Sequence, residues 1–480
     1  MSAGEVLRSF GHHAAFLLLT FLLSSFTASA QTVVPQAQTP AIPHRLTLAE
    51  AEQLLLQRNL AITAARYQID ANRAARLIAS YKPNPVLTVG AEQFALNGNF
   101  FHNLVRTDPN QAAASTYTVR VDKVIERGGK RELRTEQAEA QLKAAEAQML
   151  DALRTQLFQL RQAFTTATLA RENLLLAEAT RQQYEQTAKL TEIRVENGDL
   201  AGVEVFRVRA GLLQYEQAVL QARTSYEQSV RDVLNLLGAK ADQVAPATKE
   251  VAAAGGEVRF EKASLNRAVS PEQSQWPDSL RTAPLEIAGT FDDRQVTYSL
   301  TELRQMALSE RPDVQAARHL FEAAGHGVAL ARAQRTRDIS VGVEYQHVGS
   351  DSSVGATMSI PLFVHNNHLA EAAQAEALQK SAEAQLRQAE TQAVTDVEKA
   401  YQAYLTARRT LELYSSQNLT QMEKLRSIAA FSFREGASSL LELLDAQRSY
   451  NQAITAYNQA RADYQMSLWQ LEQAVGKPLR

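Results

Sequence analysis

The chain contains no cysteine, which excludes disulfide staples, thiolate metal sites, thiol nucleophiles and lipid attachment through an N-terminal cysteine. It has no excess of one charge. With 50 basic residues against 52 acidic ones, it has no nucleic-acid signature, and electrostatics alone names no partner. Past residue 30, no apolar run approaches the roughly 20 residues that a bilayer-crossing helix needs. HExxH, Walker, nucleophile-elbow and glycine-rich nucleotide motifs are all missing. Catalysis would need one such constellation, so the expectation is a non-enzyme without a cofactor.

What is present begins with a targeting segment over residues 1–30. Arg8 and His12-His13 precede an apolar run from Ala14 to Phe26, and Ala28-Ser29-Ala30 has the small-x-small form of a signal-peptidase site. Cleavage is expected between Ala30 and Gln31. Residues 31–45 follow as an extended segment, rich in Gln, Thr and Pro up to Pro43, expected to lie along the outside of a helical layer.

The rest of the chain is written twice, as 46–238 and 298–476, around a linker over 239–297 and before a short tail, 477–480. Ala64-Ala65-Arg66 returns as Ala316-Ala317-Arg318, and Val89-Gly90-Ala91-Glu92 as Val341-Gly342-Val343-Glu344, at a spacing of about 252. The spacing then shortens to about 238, where Gly198, Glu204 and Gly238 lie over Gly436, Glu442 and Gly476. Each copy reads helix, strand, loop, strand, very long helix, helix. The first helix is predicted from Thr47 to about Lys82, where Pro83 and Pro85 stop it, and its twin from Ser299 to about Gln334. From Gly129 to Glu196 there is no proline and, past Gly129, no glycine. These roughly 68 residues predict a rod near 100 Å, and the twin, His368 to Glu435, is expected to be equally unbroken. Helices of about 38 residues, ending at Gly238 and Gly476, complete the copies. Two short helices stacked end to end would match one rod, giving two parallel rows per repeat packed as coiled coils.

Four segments alternate instead. Leu87, Val89 and Ala91 oppose Thr88, Gly90 and Glu92. Tyr117, Val119 and Val121 alternate with Thr118, Arg120 and Asp122. The third and fourth run over Ile339 to Gln346 and Val354 to Ile360. Strands of about nine residues with one apolar and one polar face suit a transmembrane β-barrel. Four strands cannot close one, and open edges in lipid are forbidden by unsatisfied backbone groups. The expected fold is therefore mainly α with a membrane β-barrel assembled from several copies; three would give twelve strands, four per chain, continued by a long α-helical barrel.

The openings Leu46-Thr47-Leu48-Ala49-Glu50-Ala51 and Tyr298-Ser299-Leu300-Thr301-Glu302, the strand end Ile360-Pro361-Leu362-Phe363, and Phe433-Arg434-Glu435-Gly436 through Leu444-Asp445-Ala446 resemble the TolC outer-membrane efflux family. The resemblance covers nearly all of the chain from about residue 46. Glu126-Arg127-Gly128-Gly129-Lys130-Arg131 looks most like the CzcC-like, heavy-metal efflux branch. The family implies that the assembly is an outer-membrane homotrimer whose helical barrel is periplasmic, a tunnel running to an adaptor (membrane fusion) protein and an inner-membrane pump, here of the resistance-nodulation-division type. It also implies that acids beside the tip turns gate the entrance: Glu442, Asp445 and Glu204. Adaptor hairpins would dock around Arg194, Val195, Glu196, Gly198, Arg434, Glu435 and Gly436. Some members lock the entrance with a tyrosine and an arginine. This chain has Phe433 and Ser438 there, so other contacts must close it.

No metal site is expected. His365 and His368 form a lone pair at a strand-to-helix junction, and His347 and His102 fall in loops expected to be extracellular. Other readings stay open at this stage. The duct could serve multidrug efflux or type I protein secretion. From other classes come an exported trimeric coiled-coil stalk or adhesin and a soluble periplasmic metal-binding module.

Overall fold

Both copies open on a capping box. The Thr47 and Ser299 hydroxyls accept from the backbone N–H of Glu50 and Glu302. The Glu50 and Glu302 carboxylates accept in return from the cap N–H groups, at 2.9 and 2.8 Å. These bonds hold both carboxyls below the usual range.

The computed structural model describes residues 42–92, 116–240, 243–244, 285–292, 294–348, 351–414 and 416–479, all within the unit Ala41–Arg480. The signal segment, its cleavage point and His102 lie outside them. In order, the elements are β1 (Arg45–Thr47), α1 (Leu48–Arg58), α2 (Leu60–Ser80), β2 (Val86–Glu92), β3 (Thr116–Ile125), α3 (Lys130–Glu196), α4 (Val203–Leu236) and β4 (Glu286–Ala288). The second copy continues with α5 (Leu300–Glu310), α6 (Pro312–Ala333), β5 (Ile339–Val348), β6 (Asp351–Ser359), α7 (Leu369–Leu413), α8 (Ser416–Arg434) and α9 (Leu440–Val475).

The opening helices are broken where the sequence pattern predicts continuity. Asn59 (φ −64°, ψ 125°) separates α1 from α2, and Arg311 (φ −63°, ψ 123°) separates α5 from α6. Both breaks do the same physical work. Asn59 Nδ2 donates to the Leu236 carbonyl at 2.8 Å, and Arg311 Nη1 to the Ala474 carbonyl at 3.3 Å. Each therefore takes an orphan acceptor from the last helix of its own copy. Gly238 and Gly476 (φ +62° and +92°) end those helices so close by that an added Cβ would lie 3.0 Å from backbone of Arg58 and Arg311 respectively. The short helices thus meet end to end, and α4 and α9, at 34 and 36 residues, are a little shorter than expected.

The second rod is broken too. At Tyr414 (φ −91°, ψ 38°) the backbone N–H turns to the carbonyl three residues back, and Asn418 Nδ2 takes the Leu413 carbonyl at 2.8 Å. A polar side chain here outcompetes the backbone for that acceptor. By contrast, α3 runs unbroken for 67 residues. Its buried Thr165, Thr168, Thr180 and Thr191 each donate Oγ to the carbonyl four residues back, so polar side chains enter the helix interfaces satisfied.

The helices form rows. α3 packs against α2 and α4 on one flank and against α6 and α9 on the other, and α7 and α8 close the far side. The sheet repeats that order, β2-β3-β5-β6, antiparallel throughout. Its register collects Val89, Val119, Tyr345 and Val354 in one row and Leu87, Val121, Val343 and Ala356 in the next, all on one face. Arg120, Asp122, Glu344 and Thr357 share the other, where Arg120 pairs with Asp122 at 2.8 Å. A Cβ at Gly342 would collide with Asp122 and Thr357. β2 is seven residues among those described, shorter than expected.

A second sheet was not legible in the sequence. β1 pairs in parallel with β4 from the linker, and Ile42 bridges Val244. Ile42, Leu46, Leu285 and Ile287 are fully buried, so the end of the N-terminal segment is built into the core rather than lying outside it. The copies are tied nearby by Arg161, which meets Glu52 at 2.6 Å and Glu472 at 2.8 Å, with its guanidinium 4.5 Å over Trp469.

The Arg311 break supplies the first test. Its buried guanidinium holds Asp313 at 2.7 Å and Asp396 at 2.9 Å. Burial pushes the Asp313 carboxyl up, but the Arg311 bonds and charge outweigh it, and the net shift is downward. Arg311→Ala should cost about 3 kcal/mol by stranding two carboxylates and a carbonyl, read by denaturant unfolding of the purified protein. The Asp313 contribution is present above the ordinary aspartate range near pH 4. It should fade as pH falls through the lowered folded value. A flat acid limb, identical in parent and variant, would contradict this.

Candidate functional site

The turns joining α3 to α4 and α8 to α9 are the two reversals at the end of the rows away from the sheet. Gly198 (φ +81°) and Gly436 (φ +77°) terminate α3 and α8. Asp199 N–H donates to the Arg194 carbonyl and Ala437 N–H to that of Ser432, both at 2.8 Å. These are paired Schellman ends, whose left-handed residue is best supplied by glycine. Ser439 then caps α9, accepting from Glu442 N–H at 3.3 Å.

Beneath the turns, Tyr184, Ala188, Val208, Phe433, Leu440, Leu443 and Leu444 form a core of their own. Tyr184 and Tyr215 rings lie 4.4 Å apart, and only a glycine at 211 leaves room, since a Cβ there would sit 2.6 Å from Tyr184 Oη. Arg194 joins the two turns. Its Nη1 donates to the Phe433 carbonyl at 2.7 Å, and its guanidinium lies 5.1 Å from the Phe433 ring centre. Phe433, the position that departs from the family's lock, is fully buried. Arg194, expected at the docking side, is thus committed to a contact inside the chain. Nothing local in the sequence announces that contact, because its partners are 239 residues apart.

The acids divide. Glu442 and Asp445 are exposed one helical turn apart on α9, and neither forms an ion pair among the described residues. Glu204 is turned inward, with its side chain 19% exposed and bound to Arg207 at 2.8 Å. Glu196, Glu435 and Asp199 are exposed and form no ion pair among the described residues; Asp199, which follows Gly198 directly, lies outside the set expected to dock the adaptor. Val195 is half-buried, and Arg434 is exposed with its guanidinium 5.8 Å from the Phe431 ring.

At the sheet end, the Glu126–Arg131 segment is a joint. Arg127 N–H and Lys130 Nζ both reach Asp338 (3.0 and 2.9 Å), and Arg134 Nη1 meets Glu126 at 2.9 Å. Gly128 and Gly129 take positive φ, and a Cβ on Gly128 would lie 2.9 Å from Thr336. In the second copy His368 (φ +60°) stands where Gly129 does, facing Glu371 through Nδ1 at 3.1 Å, while His365 is exposed. His347 lies in β5 against Ser352 at 3.1 Å, not in a loop. Among the described residues, no three His, Asp or Glu side chains group as metal ligands, and no helix is long and apolar enough to cross a membrane.

The pattern describing outer membrane efflux proteins matches residues 51–239 and 303–477. A curated relative, the alkaline protease secretion protein AprF of Pseudomonas aeruginosa, is 23% identical over 324 residues, 64% of this chain and 58% of its own length. The chain thus spans less than two thirds of that relative. Among solved structures, the outer membrane protein VceC of Vibrio cholerae aligns with a TM-score of 0.66 at 19% identity, over 90% of this chain and 97% of its own. The MtrE outer membrane channel of Neisseria gonorrhoeae aligns with 0.66 at 18%, over 92% and 90%. These likenesses show a shared fold. With both copies matched in order, the chain belongs to the outer membrane efflux protein family.

Proposed function

We propose that three copies of this chain form the outer-membrane exit duct of a tripartite efflux system, a twelve-stranded barrel continued by a periplasmic helical tunnel. The observation that carries this reading is a pair of unpartnered borders on opposite flanks of the same chain. On one flank, Leu60, Ala64, Tyr67, Ala71, Ala74, Ile78 and Tyr81 follow a four-three step along α2. Phe206, Ala210, Leu213, Gln217, Leu220 and Thr224 do the same along α4, and every one is exposed. That is a coiled-coil seam without its second helix. The opposite flank exposes small residues on α7 (Ala370, Ala377, Ser381, Ala384) and Met422, Leu425, Ile428 and Phe431 on α8. Edge strands β2 and β6 lie on these same two flanks. Two different borders make a head-to-tail contact, which closes into a ring. Closure also removes the unpaired edges that lipid would not tolerate.

In this reading the sheet's apolar face meets lipid, and the tip turns meet the periplasmic adaptor through Arg194, Val195, Glu196, Gly198, Arg434, Glu435 and Gly436. The inner-membrane pump, of resistance-nodulation-division type, supplies the energy. Glu442 and Asp445 of three chains form the entrance rings, with Glu204 a lesser contributor because Arg207 neutralises it. Cations, heavy metals among them, are the cargo that such a negative entrance favours. Support for the heavy-metal branch is narrower than the sequence implies, since Lys130 and Glu126 are committed to the joint. The protein named for protease secretion among the relatives supports a second reading, a secretion duct.

Two outcomes check the reading. Leu213→Glu together with Tyr67→Glu should leave the single chain's own packing intact yet prevent trimer formation. The reason is that each large seam residue buried between copies contributes about 1.5–3 kcal/mol, which a buried unpaired carboxylate reverses. Mass measurement in detergent decides, and a stable trimer in that variant would remove the seam's role. Glu442→Gln with Asp445→Asn should lower cation-over-anion permeability and weaken block by multivalent cations in planar bilayers, with thermal stability nearly unchanged because exposed charges add little. Unaltered selectivity would mean that these acids are surface residues only.

A further inference from the structure

We propose that the junction between the four-stranded sheet and the helices carries a belt that binds the phosphate groups of anionic phospholipids. The proposal rests on reading the sheet as a membrane barrel. Lys123 lies on the apolar face, in the cross-strand row of Val341 and Met358, one row in from Ile125 and Ile339. Arg127 follows β3, Arg335 and Arg337 precede β5, and Lys82 precedes β2, so all stand at the same end of the antiparallel sheet. All are exposed. None forms an ion pair or a side-chain hydrogen bond with a described residue, although the Arg337 guanidinium stacks 5.4 Å over the Phe363 ring.

The acids at this level are already committed. Glu126 is held by Arg134 and Asp338 by Lys130, each at 2.9 Å, Glu132 by Arg131, and Glu371 by Asn366 at 2.7 Å. Cations without a carboxylate, set at the rim of an apolar surface, select an anion from outside the chain. The same rim exposes Tyr81, Leu362 and Val364, and above it Val89, Val343 and Met358. A partner that satisfies both features carries phosphate on acyl chains. A nucleic acid or an acidic peptide would leave the apolar rows in water. Lys123 fits such a partner in particular, because its four methylenes can follow the apolar face while the ammonium reaches the headgroup plane. Since the helices leave from this end, the belt belongs to the leaflet on the helix side.

The test reconstitutes the whole protein into phosphatidylcholine vesicles with and without phosphatidylglycerol. Thermal dissociation of the assembly gives one readout, and native mass spectrometry of retained lipid the other. Phosphatidylglycerol should raise the dissociation midpoint and be retained over phosphatidylcholine by at least roughly fivefold, the factor one basic side chain supplies near an anionic surface. Both effects should shrink at high salt. The variant Lys123→Gln, Arg127→Gln, Arg335→Gln, Arg337→Gln should lose both effects and keep the parent's midpoint in phosphatidylcholine. Exchanging the same positions Lys for Arg and Arg for Lys should preserve them, and decides the matter should the neutral variant fail to fold. Inorganic phosphate added to phosphatidylcholine vesicles should change nothing, and an equal rise from it would overturn the lipid assignment. Insertion into both vesicle types without any preference overturns the belt alone. Failure to insert into either overturns the barrel reading, and the belt with it.

Discussion

A helix of 67 residues has no core of its own, and everything else in this chain follows from that. Its apolar positions become a stable interface only if rows of equal length lie along both flanks, because isolated helices draw little stability from propensity. At 1.5 Å per residue, α3 spans roughly 100 Å, so a small error in where a neighbouring row begins would shift every contact along it. The chain pins each row at three heights. The Schellman turns fix one end, the Gly128-Gly129 joint fixes the other, and the Asn59 and Arg311 breaks fix the middle by seating short helices end to end. The Arg161 contacts with Glu52 and Glu472 then lock the copies to each other at mid-height.

How much of this was legible depends on how far apart the interacting residues are in the chain. Capping boxes at Thr47 and Ser299, positive φ at Gly198 and Gly436, and the two-residue alternation of the strands are local features, and each could be read from a few consecutive residues. The breaks at Asn59 and Arg311 were missed because apolar positions on both sides of each keep a helical period. Only Pro312, placed at a first helical position, marks the second break in the sequence. The Tyr414 break needs a competition between Asn418 and the backbone that composition does not rank. The joining of the tips by Arg194 and Phe433, and of β1 with β4, lies beyond local pattern altogether, because the partners are brought together only by the packed rows.

Net charge misleads in a related way. A balance of 50 against 52 is the sum of unlike ends. Among the described residues, Lys123, Arg127, Arg335 and Arg337 near the sheet have no carboxylate partner, whereas at the tips Glu196, Asp199, Glu435, Glu442 and Asp445 have no basic one and outnumber the exposed Arg434 beside them. Between them, some charges pair across helices, as Arg76 does with Glu139 and Arg209 with Glu192, and contribute to register, while others pair within one helix, as Lys143 does with Glu139. A sum over the chain therefore hides a separation along the rows.

The copies show what duplication has kept and what it has let go. Thr47 and Ser299 preserve a cap with different hydroxyls, and Asn59 and Arg311 take the same carbonyl position with an amide and a guanidinium. Gly129 and His368 share a left-handed backbone that costs glycine almost nothing and histidine about 1 kcal/mol or more. His368 offsets that cost through its N–H to Asn366 at 2.9 Å, its ring nitrogen to Glu371, and an edge contact with Phe363. What persists between copies is the geometry of each chain reversal and junction, because those fix where the rows start and stop. The chemistry at each position has drifted wherever another side chain could hold the same geometry.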